Sequence, residues 1–227
     1  MEDGHMEMDF SIDDYLILLK SGDEDERRNA AFILGRQRDD RVIPHLIDAL
    51  DDPSPDVRLR VIEALRHLRD ERVVMPFITC LGDDDPRVRA MAVRALALQK
   101  DFRALLPLIE LLRDDNTQVR AAAVEGLANL PDARAVPGLV NLLVDDPDAD
   151  IRYYAAQTLK TIGGDATIDT LLLVLLSDPP AETKQFIAEI FGTLGEPRTK
   201  DTLIQLTHDP DDGVSETAKW GVSRITS

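Results

Sequence analysis

The stretch DDPSPDVRLRVIEALRHL, Asp51–Leu68, decides the fold of this chain because it does not occur once. Thirty-one residues further on it returns as GDDDPRVRAMAVRALALQ, and after that as RDDNTQVRAAAVEGLANL. An Asp stands six residues before an Arg in every copy: Asp52/Arg58, Asp83/Arg89, Asp114/Arg120 and Asp146/Arg152. Self-similarity at a fixed period of this length is the mark of a stacked-repeat architecture. Aligning the phrase gives repeats 20–50, 51–81, 82–112, 113–143, 144–176 and 177–207, with a half repeat at 208–227.

Each repeat holds two helical patterns. In the second, Val57, Val61, Ala64, Leu65 and Leu68 lie on one stripe of an otherwise charged segment, as an amphipathic helix requires. Ser54 before Pro55 reads as a cap followed by proline at the first helical position. Asp85–Pro86 repeats the device, and Asn116 and Asp148 are the matching caps elsewhere. The second pattern of each repeat opens on an acid (Asp39, Asp70, Asp101, Asp132, Asp165 or Glu196) placed to accept from the first free amides. The repeat is thus helix A, turn, helix B, turn. Neither helix buries its stripe alone, and stacking makes the core continuous. Prolines early in helix B (Pro44, Pro76, Pro107, Pro137) predict a bent or late-starting helix. Six pairs with one helix at each end predict fourteen helices, an all-α solenoid over residues 11–227 treated as one domain, preceded by a flexible segment 1–10.

Composition agrees. Apolar residues make up 44% of the 227, but aromatics only 4%, so the core is aliphatic and suits close-packed helices. Twenty-six Lys and Arg face 43 Asp and Glu, a net charge of −17 that opposes binding to nucleic acid phosphates. One cysteine, Cys80 in the run FITCL, allows no intramolecular disulfide and reads as a small buried hydrophobe. No apolar run reaches the length of a membrane span, and the acidic leader MEDGHMEMDF has no signal-peptide core. A cytoplasmic protein is expected.

An Asp/Arg pair six residues apart in four of the units, with Asp178/Lys184 a weaker version and Ser21/Arg27 lacking the acid, places a column of charge along the stack. Arg forks two donors into carboxylates or carbonyls, within a repeat or across to the next. The expected role of Asp52, Arg58, Asp83, Arg89, Asp114, Arg120, Asp146 and Arg152 is a structural ladder. The pattern D-D-x-x-x-V-R-x-x-A-x-x-A-L…D-x-R-A-V-P-x-L-I-x-L-L, clearest in DARAVPGLVNLL at 132–143, resembles the HEAT-like repeat named after phycobilisome lyases. The resemblance implies a right-handed superhelix with A helices outside and B helices lining a concave face. It includes bilin lyases, an iron hydroxylase and scaffolds, so it implies a fold rather than one activity.

Catalytic candidates are few. The hydroxylase of this class uses His-Glu dipeptides, but His5, His45, His67 and His208 are followed by Met, Leu, Leu and Asp. No metal and no cofactor are expected, and no phosphate loop or activated nucleophile is legible. What is left is surface. Elimination from the apolar register puts Arg41 and His45, Arg72 and Met75, Arg103 and Leu106, Arg134, and Leu171 and Val174 on the outward side of helix B. An apolar stripe rimmed by arginine suits a protein or peptide partner; in the alternative, those side chains fill the core and the arginines pair with the cap acids. A second reading, from the resemblance, is a phycobilin lyase-like subunit whose arginines hold tetrapyrrole propionates. Tyr153, Tyr154 and Phe186 on helix A form a further candidate contact patch, for a monomer or weak homo-oligomer. Trp220 is expected to cover the open end of the core.

Overall fold

A computed structural model describes residues 10–37, 39–68 and 70–225. Apart from Phe10, the expected leader 1–10, with His5, lies outside the described residues. All regular structure among them is helical. The chain divides into two compact units, with the boundary after Ala104, inside the repeat 82–112.

The N-terminal unit holds α1 (Ile12–Ser21), α2 (Glu24–Arg36), α3 (Val42–Asp48), α4 (Pro55–Leu65), α5 (Val74–Cys80) and α6 (Pro86–Gln99). Helices α2, α4 and α6 are A helices that pack on one another in order, while α1, α3 and α5 are B helices against them. The first two starts are capping boxes: Ser11 Oγ accepts from Asp14 N–H and Asp14 returns the bond, as do Asp23 and Glu26. The A helices approach closely where Gly35 of α2 meets α4; a Cβ there would lie 2.8 Å from Ala64 Cα.

The C-terminal unit holds α7 (Leu105–Glu110), α8 (Thr117–Ala128), α9 (Val136–Asp145), α10 (Ala149–Ile162), α11 (Gly164–Leu175), α12 (Ala181–Leu194), α13 (Lys200–Leu206) and α14 (Asp212–Ile225). Again the A helices α8, α10, α12 and α14 stack in sequence. The described residues therefore hold the fourteen α-helices the repeat predicts. Both cores are built of Leu, Val, Ile and Ala, with Phe77 and Phe191 the largest side chains inside. Cys80 is buried as expected, and burial pushes its thiol up to about 11.

The late start of helix B is visible. The 3₁₀ turns Glu71–Val73, Phe102–Ala104 and Ala133–Ala135 precede α5, α7 and α9, and the proline falls at the second or third α position. There its missing N–H costs nothing. The caps Asp70 and Asp132 accept from the amides of Arg72 and Arg134, as expected. Three expected caps differ. Ser54 makes no side-chain cap bond; its amide donates to Asp52 Oδ1 at 2.8 Å. Glu196 makes none either. Asp165 lies inside α11, which opens at Gly163 and Gly164, both at positive φ, without a preceding 3₁₀ turn.

Candidate functional site

The ladder comes first because it positions everything else. Arg58 on α4 donates from Nη1 to the carbonyl of Asp52, six residues back, at 2.7 Å. Its Nε and Nη2 fork onto the carboxylate of Asp83 in the next repeat at 2.8 and 2.7 Å. Arg27 does the same with the carbonyl of Gly22 and the carboxylate of Asp52. In the C-terminal unit Arg120 takes the carbonyl of Asp114 and the carboxylate of Asp146. Arg152 takes the carbonyl of Asp146 and the carboxylate of Glu182. Arg89 donates to the carbonyl of Asp83 at 2.8 Å. Each aspartate of the ladder also accepts the amide two residues on, as Asp83 does from Asp85 and Asp146 from Asp148. One carboxylate thus ties its own turn to the preceding helix A. The Arg–Asp pairs are largely shielded from water, the Asp146 side chain being 1% exposed, whereas Glu182 is 49% exposed.

The predicted B-helix row is mostly exposed. Met75 is 53% and Leu106 55% exposed, and Arg41, His45, Arg72, Arg103 and Arg134 all face solvent. The arginines do not form a free cationic rim. Arg41, Arg72, Arg103 and Arg134 fork onto Asp39, Asp70, Asp101 and Asp132, two residues back. The guanidinium holds each of those carboxyls below its usual range, Asp132 at about 2. Leu171 does not belong to the row: it is fully buried, and Val174 is half-buried. The direct start of α11 at Gly164 shifts its register by one residue, so Thr167, Ile168 and Leu171 face the core and Asp169 is exposed.

The B helices are also acidic. Across their seven spans they carry eight Asp or Glu against Lys20 and Lys200 alone. In the N-terminal unit α1 and α3 enclose a cleft of about 430 Å³ floored by Leu16, Leu19 and Ala49 and edged by Asp48, Asp51, Asp52, His45 and Lys20. Sequence reasoning did not find this cleft, because the two helices that form it come from different repeats. Among the described residues no three His, Cys, Asp or Glu side chains converge on a metal-sized point. No helix among them is long and apolar enough to cross a membrane.

On the A helices, Tyr153 and Tyr154 are 47% and 54% exposed, and Phe186 is half-buried beside them. The Tyr153 ring lies 5.5 Å from Tyr154 and 6.4 Å from Phe186. Trp220 stays partly exposed on α14 and lies against Gly192 of α12, where a Cβ would meet its ring; it covers that A–A contact.

Comparison with known proteins gives a consistent fold. The family described as HEAT repeats matches residues 12–97, 43–116, 74–160 and 105–181. One chain of the complex of CpcE and CpcF of phycocyanin lyase from Nostoc sp. PCC7120 is 20% identical, with a TM-score of 0.59 and 99% of each chain covered. Kap95p, in a structure concerned with its binding to RanGDP, gives 0.74 at 16% identity, over 93% of this chain and 34% of that one. A designed armadillo repeat protein in complex with the peptide (KR)4 gives 0.54 at 21% identity, over 95% and 100%. No curated protein matches the chain.

Proposed function

The chain belongs to the HEAT-repeat family, and from that premise we propose that it is a non-enzymatic scaffold whose B-helix faces grip an extended, basic segment of another protein. The observation that carries this reading is Met75, a large apolar side chain exposed on the B helix α5 of the N-terminal unit; Leu106 is likewise exposed on the B helix α7 of the C-terminal unit. Exposed apolar positions among polar neighbours are what a peptide-binding face presents. The charge of the partner follows from the acids of the B helices and from the self-neutralised arginines. With their forks already on Asp39, Asp70, Asp101 and Asp132, those arginines offer little to an anion.

A labelled (KR)4 peptide tests the reading by fluorescence anisotropy against an acidic peptide of equal length. Binding of the basic peptide alone is expected, weakened by Met75→Ser, Leu106→Ser and Asp48→Lys. Equal binding to all variants, or preference for the acidic peptide, overturns it. A second reading, the handling of an open tetrapyrrole, draws on the fit over 99% of both chains to the CpcE and CpcF complex. Absorbance after mixing with a bilin decides it: an unshifted spectrum and colourless protein after gel filtration reject that role.

A further inference from the structure

The last turns of α1 and α3 converge on the cleft of about 430 Å³ in the N-terminal unit. Both helices end there, and the C-terminal end of a helix carries partial negative charge. Of the three aspartates on its edge, Asp52 is already occupied: its carboxylate takes the fork of Arg27 and is 6% exposed. Asp48 and Asp51 are exposed and pair with no cation among the described residues. Beneath them the floor is apolar, with Leu16 and Ala49 half-buried and Leu19 buried. A metal ion does not suit this site, since among the described residues no three His, Cys, Asp or Glu side chains converge. Free carboxylates over an aliphatic floor suit a cation carried on an apolar stem.

We infer that this cleft takes one long-stemmed cation, the side chain of an arginine or lysine in the partner. The stem lies along Leu16, Leu19 and Ala49, as such side chains do on apolar surface. The charged head reaches Asp48 and Asp51 in charge-assisted hydrogen bonds. The volume falls within the range of small-ligand sites. Lys20 stands on the edge without an ion pair among the described residues and opposes the incoming charge. The inference deepens the scaffold reading by naming one side chain of the partner, and it rests on that reading only for where the side chain comes from.

Titration of the nitrogen-15-labelled full chain with N-acetyl-arginine methylamide, followed by nuclear magnetic resonance, tests the cleft without a peptide. A buffer at pH 7.5 keeps histidine charge, that of His45 on the edge included, out of the comparison. Millimolar binding is expected, with amide shifts concentrated in the last turns of α1 and α3. Asp48→Asn and Asp51→Asn should each weaken it about 3–10-fold, the net worth of one hydrogen bond. Lys20→Met should tighten it, and Ala49→Leu, which fills the floor, should abolish it. The spectrum itself reports whether each variant is folded. Equal binding of N-acetyl-norleucine methylamide or N-acetyl-glutamate methylamide, or shifts confined to other helices, overturns the inference. The (KR)4 peptide then separates it from the scaffold reading. Peptide binding that ignores Asp48→Asn, Asp51→Asn and Ala49→Leu but is weakened by Met75→Ser overturns the cleft alone. An arginine probe seated in the cleft of a chain that does not bind (KR)4 upholds the cleft and overturns the scaffold reading.

Discussion

Replacing Arg120 by alanine should be among the most damaging single changes in the C-terminal unit. The guanidinium makes four bonds: two to the Asp146 carboxylate at 2.7 and 3.1 Å, and two to the carbonyls of Asp114 and Asp115 at 3.0 and 3.2 Å. The side chains of Arg120 and Asp146 are only 11% and 1% exposed. Arg120→Ala therefore strands a buried carboxylate that keeps the amide of Asp148 at 2.9 Å. Breaking a buried pair by removing one partner costs about 3–5 kcal/mol. The residual amide bond and the turn's proximity to water put this case near the lower end, about 3 kcal/mol. Arg134→Ala is the control: its fork onto Asp132 has the same chemistry but lies in solvent, where such pairs contribute little. Urea unfolding followed by far-ultraviolet circular dichroism measures both, with Asp146→Asn separating charge from shape. If Arg120→Ala is no more destabilising than Arg134→Ala, burial is not what gives the ladder its strength, and the reasoning fails.

The remaining expectations concern packing, reactivity and pH. Gly35→Ala forces a methyl to 2.8 Å from Ala64 Cα and should cost about 1–3 kcal/mol by thermal or urea unfolding, whereas Gly82→Ala has room, its nearest neighbour lying 3.7 Å away. Cys80, buried and pushed up to about 11, should resist a thiol reagent at pH 8 in the native protein and react promptly in urea; rapid native labelling would contradict its burial. Asp132, held at about 2 by Arg134, has a folded value below its unfolded one. Its stabilising share is present above about pH 4 and is lost as pH falls towards 2. A carboxyl titration by nuclear magnetic resonance should find its midpoint well under 3.8; a midpoint at 3.8 would show the pair does not persist in solution.

The repeat was legible because burial alternates at helical spacing and the same turn chemistry recurs every thirty-one residues. The ladder was legible as a column, but its pairing was not. In a thirty-one-residue period an Asp six residues before Arg58 is also the equivalent of one twenty-five residues after it, and periodic sequence does not choose between them. The structure uses both, giving Arg58 the backbone of Asp52 and the side chain of Asp83. Leu171 was misplaced for a local reason. Gly163 and Gly164 let α11 begin without its 3₁₀ turn, and one residue of slip moves a side chain about 100° around a helix. The arginine row lies on the surface, and its pairing with the cap acids was one of two readings the sequence left open, since Asp and Arg two apart fork only where the turn brings them together. The cleft between α1 and α3 depends on contacts between repeats, which no single copy of the phrase encodes.

The ladder also bears on how such a chain changes over evolutionary time. Within each unit the locks join one repeat to its neighbour, for the most part with one Arg and one Asp, so a repeat copied or deleted whole brings its half of two locks with it and the register survives. The tolerance is visible in the present chain. Arg120 reaches its acid across twenty-six residues where Arg58 spans twenty-five, and Arg152 has exchanged an aspartate for Glu182 thirty residues on. A joint that accepts such variation in spacing and in residue lets individual repeats drift on their outward faces while the array stays in one piece.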